Sequence, residues 1–284
     1  MNRFVIGCIA FVVLSLWLIT LPLTILGCLL MSPLAIIFAA VSTTLSLYKQ
    51  IRWYDSLYEG HCWHSIVSSI SFQSWFSDFT VSGSVSRTPT LYSVYPHGKF
   101  CFGPMLGIHF VRQSHTKFAV APILFYIPIF GLILYYLHCI PASRHNIQLA
   151  LERGWSVILS TEGVPGLICS EKERTVYFKK RWGAYRIARD TQTPMRVVFT
   201  HGELDTYETQ AWPLWPVRLF LSSMDILCTV PFLWGERVFG IPTYLPRSSA
   251  RIQVDILPEL EVTSVRKTKK RVQQFLEAYD VRLI

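Results

Sequence analysis

The chain has 284 residues, of which 51% are hydrophobic and 14% aromatic, and a formal net charge of +9. Its seven cysteines (8, 28, 62, 101, 139, 169 and 228) are scattered with no Cys-x-x-Cys pair, which excludes a disulfide framework or a zinc site and fits a reducing, cytosolic face. The basic excess suits an anionic bilayer surface or a phosphate-bearing substrate; nucleic acid is excluded, because Lys and Arg are dispersed and no RNA or DNA module is present.

Between Arg3 and Lys49 there is no charged side chain. A helix needs about 20 apolar residues to cross the hydrocarbon core, so Phe4–Tyr48 is long enough for two passes. Pro22 and Ser32-Pro33 interrupt the run, where proline disfavours a continuous helix. The expectation is a membrane-embedded hairpin over 1–48, or one kinked helix followed by a shallow one; Arg3, Lys49 and Arg52 at its ends favour the hairpin with both ends cytosolic. A cleaved signal peptide fits poorly, since its apolar region is usually only about 7–15 residues.

Residues 49–89 mix aromatic, polar and small side chains and read as a connector along the membrane surface. From about residue 90 the pattern sharpens into an α/β domain over 90–284. Leu91–Tyr95 reads as a strand, followed by a helical stretch near Phe100–Arg112. Ser143 suits the N-cap of a helix Arg144–Arg153 that Gly154 ends. Trp155–Ser160 and Met195–Thr200 read as buried strands around a helix Trp182–Asp190. Ile252–Leu257 adds a late strand, and Ser264–Tyr279 a basic amphipathic helix with Val265, Val272, Leu276 and Tyr279 on one side. Strands alternating with helices predict a largely parallel sheet. Phe118–Ile140 carries no Lys, Arg, Asp or Glu, enough for a third span by length, yet Pro122, Pro128 and Gly131 break it. A single crossing there would also separate His97 from the charged motifs after 140. A buried or interfacial segment is the better reading.

Four polar motifs fall at strand ends or helix starts. Tyr95-Pro96-His97-Gly98 offers an imidazole that can take a proton from an alcohol at neutral pH, with Gly98 allowing close approach of backbone and substrate. Thr161-Glu162-Gly163-Val164-Pro165-Gly166 offers a carboxylate that could hold an acceptor hydroxyl or orient His97. Lys179-Lys180-Arg181-Trp182-Gly183 places basic groups where a helix begins, a natural place for phosphates. His201-Gly202-Glu203-Leu204-Asp205-Thr206-Tyr207 adds two acidic side chains. Open α/β sheets bind their ligands at the carboxyl ends of strands. Taken singly, each motif could equally be a loop histidine, a capped turn or a solvated basic face.

In order and spacing, these motifs resemble the type-2 diacylglycerol acyltransferase family, which includes monoacylglycerol and wax-ester-forming relatives. Tyr95-Pro96-His97-Gly98 is similar to that family's His-Pro-His-Gly signature, with His97 at the second histidine and Tyr95 replacing the first. Pro141-Ala142-Ser143-Arg144 resembles its Pro-Val-Ser/Asn-Arg segment. Gly163 and Val164 fit its Gly-Gly-x-x-Glu block, although Glu162 replaces the first glycine and Gly166 stands where the acid is expected. Arg181-x-Gly183, Ala188 and Pro194 match a further stretch, and Gly202-Glu203, Asp205 and Tyr207 the Phe-Gly-Glu-Asn-Glu/Asp-x-Tyr block. Gly240-Ile241-Pro242 resembles its Gly-x-Leu-Pro turn. The resemblance covers about residues 90–260. Glycerophosphate acyltransferases carry an Asp five residues after the histidine, where this chain has Phe102, so that class is disfavoured.

The resemblance implies a membrane-anchored acyltransferase-type domain that transfers an acyl group from acyl-CoA to a lipid alcohol, diacylglycerol first. It implies His97 as general base, with Glu162 or Glu203 orienting the imidazole or stabilising its charged form. Pro96, Gly98, Arg144, Gly163, Lys180, Arg181, Gly202 and Asp205 are the expected substrate-binding positions, with Arg144, Lys180 and Arg181 for the CoA phosphates. No metal or bound cofactor is implied, since acyl-CoA is a co-substrate. The expected setting is the endoplasmic reticulum membrane with the domain facing the cytosol; movement to lipid droplets and self-association stay open. The reading from another class is a non-catalytic polytopic membrane protein in which Phe118–Ile140 and Leu214–Trp234 also span, against which stand Arg218 and Asp225, costly charges inside a bilayer.

Overall fold

The structure, a computed structural model, describes residues 72–208 and 235–284 apart from 112–114, 127–129, 170–174, 239–240 and 243–244, together with positions 37, 40, 41, 44, 45, 217, 219 and 220. The expected hairpin over 1–48 lies outside the described residues except at five helical positions, as does most of Leu214–Trp234. Among the described residues, no helix is long and apolar enough to cross a membrane.

Seven strands form the main sheet: β1 (Asp78–Ser82), β2 (Leu91–Tyr95), β3 (Thr116–Val120), β4 (Cys139–Pro141), β5 (Ser156–Ser160), β7 (Met195–His201) and β10 (Arg251–Ile256). Two-residue strands β6 (Thr175–Val176) and β11 (Arg282–Leu283) pair with each other, as do β8 (Arg237–Val238) and β9 (Ile241–Pro242). The main order is β1-β10-β7-β2-β5-β3-β4. Every pairing is parallel except β10 with β7. All five residues of β2 are buried, as a central parallel strand covered on both faces must be.

Alternation along the strands feeds two cores. Leu91, Tyr95, Val157, Val197 and Phe199 face a cluster completed by three helices: α3 (Arg144–Glu152), α5 (Gly183–Asp190) and α6 (Val265–Ala278). Tyr92, Val94, Ile158 and Val198 face the other cluster, with Phe76, Phe102 and Leu106. There α1 (Phe102–Pro104) runs directly into a π-helical turn, Met105–His109. Two further short helices are α2 (Phe130–Tyr136), and α4 (Val164–Cys169) after β5.

Most predicted elements lie within a residue or two of their expected bounds. The Ser143 side chain accepts a hydrogen bond of 3.2 Å from the Asn146 N–H, capping α3 as predicted. Along α6, Val272 and Leu276 are buried, and Val265 and Tyr279 pack against the same core. One assignment changes and one segment is subdivided. Residues 78–82, assigned to the connector 49–89, form the edge strand β1 on β10; the alternation of Phe79 and Val81 with polar residues is its short sequence signal, and only Phe79 of the five is half-buried. Phe118–Ile140 neither spans nor lies as one segment. It contributes β3, a 3-10 turn (Pro122–Tyr126), the seven-residue α2 and the start of β4, each far shorter than the roughly 20 residues a span needs.

Candidate active site

Three adjacent strands, β7, β2 and β5, end side by side, and each is followed by one of the polar turns. His97 follows β2, Glu162 follows β5 and Glu203 follows β7. The parallel registers Val94↔Ser160 and Tyr95↔Phe199 put all three on the carboxyl edge of the sheet.

The Tyr95-Pro96 peptide is cis and Gly98 takes φ +59°. A Cβ on Gly98 would run into the Glu203 side chain, so the space this glycine opens is filled by a carboxylate. Gly166 is the second close approach. A Cβ there would stand 2.7 Å from both His97 Cβ and Glu162 Cβ, distances real Cβ atoms do not tolerate.

Both carboxylates grip backbone. The two oxygens of Glu162 accept from the His97 N–H and, at 2.9 Å, from the Tyr177 N–H. The two oxygens of Glu203 accept from the Phe102 N–H at 2.7 Å and the Gly103 N–H at 2.9 Å. Each buried glutamate therefore ties its own strand end to the segment that begins with His97. This differs from the expectation that one of them orients the imidazole: both carboxylates accept from main-chain donors, while the ring contacts Gly98 and Cys101. The ring instead places Nδ1 3.1 Å from the Gly98 carbonyl. A carbonyl only accepts, so in the tautomer that makes this bond the proton is on Nδ1 and Nε2 is the basic site; Cys101 Sγ also lies 3.8 Å from Nδ1.

Burial dominates the electrostatics. Desolvation, with help from the Lys99 charge, lowers the His97 pKa from 6.5 to about 4, against the opposing Gly98 hydrogen bond. The imidazole is therefore neutral at physiological pH. Desolvation raises Glu162 from 4.5 to about 7, against the Tyr177 and His97 N–H bonds and the Arg181 charge. It raises Glu203 to about 7 as well, against the Gly103 and Phe102 N–H bonds.

The remaining predicted positions are dispersed around this centre. Arg181 is half-buried and packs on the Gly163 turn, where an added Cβ would meet a guanidinium nitrogen at 3.3 Å; Gly163 has φ +62°. Lys180 is exposed on the turn before α5. Gly202, with φ +73°, starts the 3-10 turn that presents Glu203, and Asp205 on that turn is exposed. Pro96 is buried in the His97 turn. Arg144 is drawn away: its guanidinium pairs with Asp190 at 2.6 Å, at the far end of α5 from Arg181.

Several residues of the site were not singled out in the sequence. The Cys101 thiol donates to the His97 carbonyl at 3.0 Å, and the buried Lys99 ammonium donates to the Leu167 carbonyl at 2.9 Å. The amides of Phe102, Gly103 and Tyr177 carry no sequence signal, since every non-proline residue has one.

A family model described as diacylglycerol acyltransferase matches residues 93–284. Among solved structures, the chain is similar to the crystal structure of the 1-acyl-sn-glycerophosphate (LPA) acyltransferase PlsC from Thermotoga maritima. The TM-score is 0.50 at 14% identity, over 92% of this chain and 95% of that one. At such low identity the likeness is one of fold.

Proposed function

The chain belongs to the diacylglycerol acyltransferase family, and from that premise we propose that it transfers a fatty acyl group from acyl-CoA to diacylglycerol, giving triacylglycerol and free CoA. Acyl transfer itself follows from the family; the donor, the acceptor and the assignment of His97 are the proposal. The observation that supports it most is the neutral His97 imidazole, with Nδ1 engaged by Gly98 and Nε2 left as the basic nitrogen, on a turn that two carboxylates fasten to neighbouring strands.

In this reading Nε2 takes the proton of the acceptor hydroxyl as its oxygen attacks the thioester carbonyl. The tetrahedral intermediate collapses, the C–S bond breaks, and the proton passes from the imidazolium to the departing CoA sulfur. Glu162 and Glu203 act as positioning residues that keep the turn in place. Arg181, with Lys180 beside it, faces the CoA phosphates, for which guanidinium is well suited. Acyl-CoA serves as co-substrate, and no bound cofactor or metal takes part in the scheme. The setting is a membrane, the endoplasmic reticulum with the domain on its cytosolic side, because donor and acceptor meet there.

The test is an acceptor panel: labelled acyl-CoA with membranes carrying the chain, offered diacylglycerol, monoacylglycerol, a long-chain alcohol and a lysophospholipid, with His97→Ala membranes as the blank. Labelled triacylglycerol above the blank supports the proposal. Labelling of another acceptor in preference would replace diacylglycerol, and labelling independent of His97 would remove the base.

A further inference from the structure

The carboxyl edge that carries His97 also carries an apolar projection, the 3-10 turn Pro122–Tyr126 that follows β3 directly. Ile123 is 51% exposed and Tyr126 53%, while Phe125 between them is buried and anchors the turn. From Phe118 through Ser143 the sequence has no Asp, Glu, Lys or Arg, so no charged side chain of this segment shields the projection from an apolar phase. β3 lies next to β5, whose end bears Glu162, so the turn and the candidate site share one edge.

The same edge is basic where it is polar. Lys179 and Lys180 are exposed on the turn beyond Tyr177, the residue whose N–H binds Glu162. Trp182 closes that turn, 36% exposed, with its ring 3.8 Å beneath the Lys269 ammonium. Tryptophan and lysine together are the side chains that favour the headgroup level of a bilayer. Asp205 and Glu208 are exposed acidic residues at this edge, Glu208 in an ion pair with Arg247 at 2.8 Å.

We infer that this edge is the face by which the domain docks on a lipid surface. Ile123 and Tyr126 enter the acyl boundary while Trp182, Lys179 and Lys180 lie among anionic headgroups. The inference rests on the acyltransferase reading above and sharpens it: a lipid acceptor then reaches His97 from the bilayer without crossing water. Apolar insertion combined with basic attraction is the combination that holds interfacial proteins on membranes.

The experiment uses the full chain in vesicles of phosphatidylcholine and phosphatidylserine containing a phospholipid with a diazirine in its acyl chain. Adducts are mapped by mass spectrometry after irradiation, without substrate, so the outcome does not depend on turnover. Val111 is the internal comparison, because it is 60% exposed but lies just before β3, at the opposite edge. Adducts on Ile123 and Tyr126, absent from Val111, are expected. In vesicles, Ile123→Asp/Tyr126→Asp should lower kcat/KM for a bilayer-borne acceptor roughly tenfold and leave transfer to a detergent-dispersed acceptor unchanged. Equal labelling at Val111, no labelling at 122–126, or cross-links from a photoreactive residue at 126 to residues 1–71 or to a second copy would each overturn the inference. If adducts form but no acyl transfer is seen with any acceptor, the docking face stands and the proposed function falls.

Discussion

The Glu162 carboxylate accepts the backbone N–H of His97, so the end of β5 holds the main chain of the residue that the end of β2 presents. With its other oxygen on the Tyr177 N–H, this glutamate needs two acceptors at once. Glu162→Gln supplies one oxygen and turns an NH2 group toward a second N–H. A hydrogen bond to a charged group contributes about 1.5–3 kcal/mol, and a donor would be left facing a donor. Purified Glu162→Gln should therefore melt at lower temperature and lose kcat at least about tenfold, with a smaller change in KM for acyl-CoA. An unchanged kcat would show that the turn keeps its place without this clamp.

The two glutamates also predict how pH acts on the fold. Both are raised from 4.5 to about 7, so between those values the folded state binds more protons than the unfolded chain. Their stabilising contribution is full below about 4.5 and is lost as pH rises through about 7. His97, lowered from 6.5 to about 4, has the opposite sign, but its window closes near 6.5. From about pH 8 down to about pH 6.5 the glutamates dominate, and melting temperature in detergent should rise. Over the same range kcat/KM should fall, because protonation weakens the backbone clamps. Opposite trends of stability and activity are the signature; an activity profile flat down to about pH 5 would tie the acid limb to some other group.

Gly166 shows how much of the site was legible and why the rest was not. As a glycine in the Glu162–Gly166 block it was visible, yet nothing in the sequence says that its missing Cβ leaves room for His97 and Glu162 together. Strand ends such as Tyr95 and Ser160 were readable because continuous apolar runs mark buried parallel strands. The edge strand Asp78–Ser82 was harder to read: it alternates Phe79 and Val81 with polar residues, but over only five residues next to a Ser/Thr/Gly-rich stretch. Side-chain-to-backbone bonds, such as Glu203 to Phe102 and Gly103, are invisible for a further reason: the amide partner has no residue identity. Gly166→Ala is the resulting test. Overpacking typically costs roughly 1–3 kcal/mol, so the variant should melt earlier and lose activity together, whereas an alanine tolerated without effect would mean that the His97 turn can shift.

His97 itself carries the largest expected effect. Loss of a general base typically lowers turnover by roughly 10²–10⁴-fold, so His97→Ala should insert in membranes and bind acyl-CoA while ester synthesis nearly disappears. Tyr95→His is a contrasting case: the Tyr95 hydroxyl lies 3.0 Å from that of Tyr185 in a buried pair, and a shorter imidazole there exchanges that contact for a cavity. Although the family signature has histidine at this position, the substitution should lower melting temperature while leaving the residual folded enzyme active. Near-normal turnover of a folded His97→Ala protein would end the general-base assignment.

The two arginines matched to the family separate by their surroundings. Arg144 is spent on Asp190 at 2.6 Å with its side chain 63% exposed, an ion pair of the solvent-screened kind that contributes about 0–1 kcal/mol. Arg181 instead packs against Gly163, two segments from His97, and its charge already reaches Glu162. If Arg181 meets the CoA phosphates, Arg181→Ala should raise the KM for acyl-CoA several-fold, with less change in the KM for the acceptor. It should also push the Glu162 pKa further up, because an opposing charge is lost, moving the acid limb of kcat/KM to higher pH. Arg144→Ala should do neither. Initial-rate measurements varying each substrate in turn, repeated across pH, distinguish the outcomes: equal effects of both variants on both substrates would remove Arg181 from the donor site.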